Sequence, residues 1–227
     1  MNTYVVVTIK SWNIENFEAL KKHDTEHRWV LITDKKDLTL ARMQELNPRY
    51  IFFPHWSWII PPAIFEAYEC IVFHMTDLPY GRGGSPLQNL IVRGYKTTTL
   101  SAIRVVQDYD AGDVYMKEDL SLDGTAQDIL KRVSDATFRM IPTFVDTEPT
   151  ATPQAGEVVL FERRKPSDGN IAALKELGAV YDYIRMLDAE GYPPAFIETE
   201  TLRCTFTDAE IRDGRVNATV SITLKQT

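Results

Sequence analysis

Short apolar runs separated by helical patterns constrain the fold of this chain more than any other feature. The runs are residues 4–9, 29–33, 50–53 and 70–74, and the helical patterns between them cover residues 16–22 and 38–46. Each run is rich in Val, Ile or Phe and nearly continuous, as is typical of strands buried on both faces of a sheet. Strands that alternate with helices form parallel βαβ units. The sequence therefore predicts an α/β fold with a doubly wound, mostly parallel sheet.

The rest of the chain predicts further elements and a small C-terminal appendage. Helices are expected at 87–93 and from Thr125 onward, where apolar residues recur at the i, i+3, i+4 spacing of one buried face. Strands are expected at 97–106 and 114–116. Beyond a proline- and threonine-rich stretch, the chain offers a strand at 158–161, a helix at 172–187 and a strand at 216–224. We predict a catalytic domain at 1–146, a linker at 147–156 and a small α+β subdomain at 157–227.

Charge and cysteine content restrict which classes of function the chain is expected to have. The chain has 227 residues, with 25 Lys and Arg against 32 Asp and Glu, a net charge of −7. A phosphate backbone is bound through a basic face, so this balance argues against a nucleic-acid partner. No stretch is long and apolar enough to span a membrane, and the first residues lack the basic start of a signal peptide. With two cysteines, a reducing cytoplasmic setting is expected and no metal site is predicted.

Three local features stand at positions where an α/β sheet binds ligands. His55 and His74 lie at or just after the ends of two predicted strands, and ligands collect beyond the carboxyl ends of parallel strands. A glycine-dense turn follows at 80–86, and an acidic loop lies at 108–113. Each feature also has a purely structural interpretation: histidines that only cap the sheet, a tight turn and a solvated loop. The acidic loop lacks the glycine that an EF-hand has at its sixth position, where this chain has Asp113.

Taken together, the turn and the acidic loop resemble one enzyme family. Residues 74–88 are similar to the His-x-Ser-Leu-Leu-Pro-x-x-Arg-Gly-x-x-Pro-x-Gln stretch of formyltransferases that use 10-formyltetrahydrofolate. The matching positions are His74, Leu78, Pro79, Arg82, Gly83, Pro86 and Gln88. Residues 110–113 resemble the Asp-x-Gly-Asp of the same family, 36 residues after His74. The resemblance covers roughly residues 50–135 and implies the doubly wound fold already predicted.

The resemblance also implies a mechanism and a set of site residues. His74 would move a proton or stabilise the oxyanion, and Asp110 would orient the imidazole, without a metal. The residues implied to contact the folate cosubstrate are Thr76, Asp77, Leu78, Pro79, Tyr80, Arg82, Gly83 and Asp108.

One position departs from the family pattern. The family has an asparagine two residues before the histidine, which helps to hold the oxyanion; here that residue is Val72, which has no donor. His55 is the first candidate to take over this role, and Ser57 is a weaker one. The alternative, that His55 only caps the sheet, stays open.

The acceptor of the formyl group is the least constrained part of the prediction. Acidity and a short C-terminal segment favour a nucleotide-linked 4-amino-deoxysugar over a nucleic acid, and residues 53–61 and 77–89 resemble the branch associated with pseudaminic-acid-type sugars. We therefore expect a sugar N-formyltransferase that binds neither nucleic acid nor membrane and that can form a homodimer. The alternatives are a folate-dependent formyl hydrolase, a folate-binding relative without transferase activity, and a formyltransferase with an aminoacyl acceptor.

Overall fold

The structure, a computed structural model, describes residues 1–225 and divides the chain into two compact units. The first unit comprises residues 1–82, 99–120 and 131–160, and the second comprises 83–98, 121–130 and the chain from 161 onward. Both units are discontinuous in sequence. Each unit is made of three separate stretches of chain, whereas the domains predicted from the sequence are continuous. The domain boundaries expected at 146 and 157 stay a prediction.

The helices and strands are as follows. The strands are β1 (Thr3–Val7), β2 (Arg28–Ile32), β3 (Tyr50–Phe53), β4 (Cys70–His74), β5 (Tyr80–Gly83), β6 (Thr97–Arg104), β7 (Val114–Ser121), β8 (Val159–Phe161), β9 (Ala195–Glu198), β10 (Leu202–Arg212) and β11 (Arg215–Leu224). The helices are α1 (Ser11–His23), α2 (Leu40–Leu46), α3 (Pro62–Phe65), α4 (Pro86–Val92), α5 (Ala126–Thr147) and α6 (Leu177–Arg185).

A six-stranded sheet with the order β2-β1-β3-β4-β6-β7 is the centre of the fold. The first four strands in this order run parallel to one another, and β6 pairs antiparallel with β4. Val5, Ile51 and Ile71 are fully buried, as the continuous apolar runs predicted for strands covered on both faces. This confirms the expected fold class of a doubly wound, mostly parallel sheet.

The register of the sheet determines where the two candidate histidines lie. Phe53 of β3 lies beside Val72 of β4 in a parallel pair. His55 and His74 each follow that pair by two residues, so both lie at the carboxyl edge of the sheet. The sequence predicted this edge correctly because the two strand ends coincide with the ends of the apolar runs.

The second unit contains a three-stranded antiparallel sheet with the order β11-β10-β9. Near it, buried polar groups are satisfied by backbone oxygens. Arg185 donates to the carbonyl oxygens of Leu122 at 2.7 Å and Gly124 at 3.0 Å, and Gln88 donates to the Met186 oxygen at 3.1 Å. The small sheet matches the expected C-terminal region, although the sequence predicted only its last strand.

Within residues 1–225, every helix is too short or too polar to cross a membrane.

Candidate active site

His74 ends β4 and is held by one backbone carbonyl. The residue is 8% exposed, and its Nε2 lies 2.8 Å from the carbonyl oxygen of Gly81. Because a carbonyl oxygen only accepts, Nε2 carries a proton. In the neutral imidazole Nδ1 then has the lone pair, and this atom lies 3.6 Å from Oδ1 of Asp110. The ring orientation is thus set by Gly81, and Asp110 is placed to stabilise a positive charge on the imidazole.

The loop that carries Asp110 is fixed by the amide of Gln154. The Nε2 atom of Gln154 donates to the carbonyl oxygens of Asp110 and Gly112, both at 2.8 Å. Its Oε1 atom accepts from Arg82, from Nε at 3.0 Å and from Nη2 at 2.8 Å. Both N–H bonds and the oxygen of one amide are therefore used to hold the loop.

Two backbone features restrict which residues the loop can have at positions 110 and 112. Asp110 has a φ of 53°, in the left-handed region that most residues avoid but Asp tolerates. A Cβ at Gly112 would lie 1.8 Å from the carbonyl oxygen of Arg104, so only glycine fits there. The family-like Asp-x-Gly pattern thus has a local physical reason in this chain.

The turn after His74 is anchored through its backbone. Thr76 is fully buried, and its carbonyl oxygen accepts from Oγ of Ser101 at 2.8 Å. Lys117 Nζ donates to the carbonyl oxygen of Leu78 at 2.9 Å and also pairs with the exposed carboxylate of Asp77. The turn is therefore held rigidly within the first unit.

The other residues predicted to contact the cosubstrate differ in their surroundings. The Pro79 carbonyl oxygen accepts from the Val159 N–H at 3.3 Å, Tyr80 is half-buried and Asp108 is exposed. Arg82 uses its guanidinium on Gln154. Gly83 belongs to the second unit, where a Cβ at its position would lie 2.4 Å from the Phe161 carbonyl oxygen. Their roles in binding stay predictions.

His55 is neutral at pH 7 in this environment. Burial lowers the pKa of its imidazole from 6.5 to about 4, and the charge of Lys10 acts in the same direction. The ring packs edge-on against Trp12 with 6.1 Å between centroids, and the backbone φ is 50°. Asn13 Nδ2 donates to the carbonyl oxygen of Pro54 at 3.1 Å and thereby fixes the residue before His55. Ser57, the weaker candidate, is exposed.

Sequence reasoning missed Gln154 and Ser101. Gln154 lies in the stretch that we predicted to be a linker, where nothing in the pattern marks one polar residue over another. Ser101 is a polar residue between Leu100 and Ala102 in the predicted strand 97–106. A polar side chain between two apolar residues of a buried strand was the signal that its hydroxyl has a specific partner.

Comparison with known proteins identifies the family. The sequence profile described as formyl transferase matches residues 15–145. A second profile, described as the methionyl-tRNA formyltransferase C-terminal domain, matches residues 166–223. The chain belongs to the formyl transferase family, whose enzymes transfer a one-carbon group and take it from 10-formyltetrahydrofolate.

Individual relatives narrow the comparison. The chain is 48% identical to the solved structure of a methionyl-tRNA formyltransferase from Clostridium thermocellum, with a TM-score of 0.97 over 99% of this chain and 100% of that one. It is 37% identical over 93 residues to the methionyl-tRNA formyltransferase of Rickettsia canadensis, which is 40% of this chain but only 31% of that protein. The match thus spans less than a third of the curated relative. HypX from Aquifex aeolicus, solved with tetrahydrofolic acid, shares the fold at 15% identity, with a TM-score of 0.74 over 93% of this chain and 39% of HypX.

These findings correct two predictions. The assignment to the sugar branch, with a nucleotide-linked aminosugar as acceptor, is wrong, because the 48% identical relative and the C-terminal profile are both described as methionyl-tRNA formyltransferase. The exclusion of a nucleic-acid partner is wrong for the same reason. It rested on a net charge of −7, and a net charge does not describe how cationic groups are distributed over the surface.

Proposed function

We propose that this protein transfers the formyl group of 10-formyltetrahydrofolate to the free amine of an aminoacyl group carried by tRNA, methionine being the amino acid named for its relatives. The observation that supports it most directly is the pair of buried His74 and half-buried Asp110 at the carboxyl edge of the sheet. A pair of this kind serves proton transfer from an attacking amine, which simple binding of folate does not need.

In the proposed reaction the amine attacks the formyl carbon that the folate supplies. The new C–N bond forms, the bond from the formyl carbon to N10 of the folate breaks, and the amine loses a proton. His74 Nδ1 accepts that proton, since its Nε2 is committed to the Gly81 oxygen. The Asp110 carboxylate, 3.6 Å away, stabilises the imidazolium until the imidazolium gives the proton to N10, so that tetrahydrofolate leaves as a neutral amine.

His55 is our candidate for stabilising the negative charge on the formyl oxygen. The family asparagine is replaced by Val72, and the low pKa of His55 keeps its ring neutral at pH 7 with one N–H to donate. His55 follows the end of β3 and His74 ends β4, and these two strands are neighbours in the sheet. A hydrogen bond to a developing oxyanion in a site of low polarity is worth several kcal/mol, on the order of 3.

The residues around the pair fit a folate. Asp108 presents an exposed carboxylate, which can accept hydrogen bonds from the amino-pyrimidine edge of a pterin. Tyr80 offers part of an aromatic ring for apolar contact. The fixed backbone of the turn after His74 and of the Asp110 loop would border the cosubstrate on two sides.

The test is a formyl-transfer assay with the full chain, 10-formyltetrahydrofolate and methionyl-tRNA. We expect tetrahydrofolate to form only when charged tRNA is present, and formylmethionine to be recovered after hydrolysis of the ester. Uncharged tRNA and N-acetylmethionyl-tRNA are the matched controls, because neither offers a free α-amine. Release of formate at the same rate without acceptor would contradict the proposal, as would the absence of any transfer to methionyl-tRNA.

A further inference from the structure

Strand β11 forms an outer edge of the three-stranded sheet. Within residues 1–225 it pairs with β10 alone, from Leu224 opposite Leu202 to Arg215 opposite Arg212. The backbone N–H and C=O groups on the side away from β10 can therefore bond to a further strand. An edge of this kind is a template for pairing with another chain unless the protein protects it.

The usual protection of an edge strand is missing from β11. Between Val216 and Leu224 the strand has neither a charged residue nor a proline, although 25% of the chain is charged. The hairpin has one irregularity, between Thr207 and Glu210, and it places the extra residue in β10. Strand β11 itself therefore stays regular over its ten residues, as a strand that pairs on both sides must.

The other edges of the six-stranded and three-stranded sheets carry such protection. Strand β7 has three consecutive charged residues at 117–119, and β2 has only five residues and begins with the exposed Arg28. Strand β9 has four residues and ends at Glu198, whose carboxylate takes part in two ion pairs. A long edge without charge thus distinguishes β11 from these three strands.

Strand β11 also exposes a row of apolar side chains. Val220 is 47% exposed, Ile222 is 62% exposed and Leu224 is 77% exposed. They alternate with Ser221 and Thr223, so they lie on one face of the strand, and each lies opposite an apolar residue of β10. Contiguous exposed apolar surface marks an interaction site. A row without charge offers nothing to a phosphate backbone or a charged peptide, whereas it suits a second apolar strand.

The sequence of β11 is complementary to itself in an antiparallel pair. A two-fold axis at Val220 places this residue opposite its own copy, Ala218 opposite Ile222, and Val216 opposite Leu224. Every pair on this face is apolar, and the pairs on the other face are polar without charge. Opposite residues of this kind stabilise two neighbouring strands, and the like charges that would oppose pairing are absent between 216 and 224.

We propose that two copies of this chain pair through β11, antiparallel and about a two-fold axis at Val220. The two three-stranded sheets then become one sheet with the order β9-β10-β11-β11-β10-β9, and nine paired residues give a contact about 30 Å long. A two-fold contact uses the same surface on both copies and is closed, so it produces a dimer rather than a filament.

The test is sedimentation equilibrium of the full chain over a wide range of concentration, where we expect twice the mass of the single chain. Val220→Lys and Val220→Glu each place two like charges opposite one another at the axis. Each should raise the dissociation constant of the dimer about 100-fold, since apolar burial is also lost in both copies. A one-to-one mixture of these two variants brings opposite charges together, so it should form a heterodimer that is tighter than the dimer of either variant alone.

Two further variants make the test specific. Val220→Thr keeps the branched shape that favours a strand and should weaken the dimer by a smaller factor, so the result does not depend on charged variants alone. The matched control is Val158→Lys, because Val158 is 49% exposed and precedes β8. It should stay dimeric. Far-UV circular dichroism verifies that each variant is folded.

Four results would overturn the proposal. They are a wild type that is monomeric at every concentration, a dimer that Val220→Lys leaves intact, equal dissociation by Val158→Lys, and a mixture of the folded Val220→Lys and Val220→Glu chains that stays monomeric.

The dimer and the proposed function can be tested separately. Strand β11 lies in the second unit and contains no residue of the candidate active site. A monomeric wild type would overturn the pairing of β11 and leave formyl transfer as proposed. Conversely, a wild type that transfers nothing to methionyl-tRNA would contradict the proposed function, while the sedimentation results would still decide the dimer.

Discussion

At the scale of single residues, the candidate site depends on which atom of His74 is free. The Gly81 carbonyl oxygen occupies Nε2, and this leaves Nδ1 toward Asp110. The resemblance implied that Asp110 orients the imidazole, and the Gly81 carbonyl oxygen provides a second contact that fixes the ring. The role of Asp110 in the reaction stays a prediction.

Replacement of His74 should therefore remove the base without removing the fold. His74→Ala is expected to reduce kcat by about 10²- to 10⁴-fold, the usual contribution of a general base. The measurement is tetrahydrofolate formation at saturating acceptor, with folate binding and the thermal unfolding midpoint as controls. Turnover within threefold of the wild type would rule out a role in proton transfer.

Gln154 offers a sharper test of the Asp110 loop. Gln154→Ala should lower kcat roughly tenfold because a displaced carboxylate no longer faces Nδ1 of His74. Gln154→Glu keeps an acceptor for Arg82 but replaces the donors to Asp110 and Gly112 with an oxygen, so it should be impaired at least as strongly. Steady-state kinetics on both variants provide the readout, with Thr152→Val, two residues earlier, as the control. Full activity in Gln154→Glu would show that the loop is held by other contacts.

The lowered pKa of His55 predicts a pH-dependent stability. Between pH 6.5 and about 4 the unfolded chain binds a proton at this residue and the folded chain does not. The free energy of unfolding should therefore decrease as pH falls through this window, by up to about 3 kcal/mol from this residue. Urea unfolding from pH 7 to 4 should show a shallower decrease for His55→Gln than for the wild type. Parallel curves would mean that His55 is solvated and has an ordinary pKa.

At the scale of secondary-structure elements, the start of α5 is specified by a reciprocal cap. Thr125 Oγ1 accepts from the Asp128 N–H at 3.2 Å, and Asp128 Oδ2 accepts from the Thr125 N–H at 2.9 Å. This is the capping-box arrangement, with Asp in place of Glu at the third position. The helix accordingly begins at Ala126, one residue after the predicted start at Thr125.

Loss of the cap should cost stability but not catalysis. Thr125→Ala is expected to lower the free energy of unfolding by about 1 kcal/mol, and Thr125→Ser by much less, because Ser keeps the hydroxyl. Denaturant titration of both variants provides the test, with kcat expected to stay at the wild-type value. An equal loss for Ser and Ala would show that the methyl group, rather than the cap, matters.

The bounds of the elements were predicted more accurately where the residues are apolar and buried than where they are exposed. Strands β3 and β4 have the predicted bounds, because all of their residues except His74 are apolar. Strand β7 runs on to Ser121, beyond the predicted end at 116, because only Tyr115 and Leu120 of its residues are buried and the charged positions between them conceal the strand. Helix α6 is shorter than the predicted 172–187 and begins at Leu177. Apolar residues with helical spacing also occur before Leu177 and after Arg185, where the chain is not helical.

At the scale of the whole molecule, the two cysteines differ in a way that can report on global opening. Cys70 lies in β4 and is 1% exposed, and burial, assisted by the charge of Glu69, raises the pKa of its thiol to about 12. Cys204 lies in β10 and is only half-buried. Because thiolates are the reactive species, the folded protein should protect Cys70 far more than Cys204.

Thiol titration with Ellman's reagent should therefore give one fast and one slow reaction per chain. The slow rate should rise with urea in parallel with global unfolding, since Cys70 is reached only when the central sheet opens. Cys204→Ser should remove the fast phase and leave the slow one. Two equally fast thiols would mean that β4 opens independently of the rest of the sheet.

The sequence by itself determined the parallel sheet and the edge where His55 and His74 lie, because these follow from contiguous apolar runs. That Asp110 acts with His74 was implied by the resemblance to a family. Only the tertiary structure brought Gln154, 44 residues along the chain, onto the Asp110 loop and placed β11 at an edge of the small sheet. The acceptor was predicted wrongly for a related reason. Net charge is a sum over the chain, whereas recognition depends on which charges the fold places side by side.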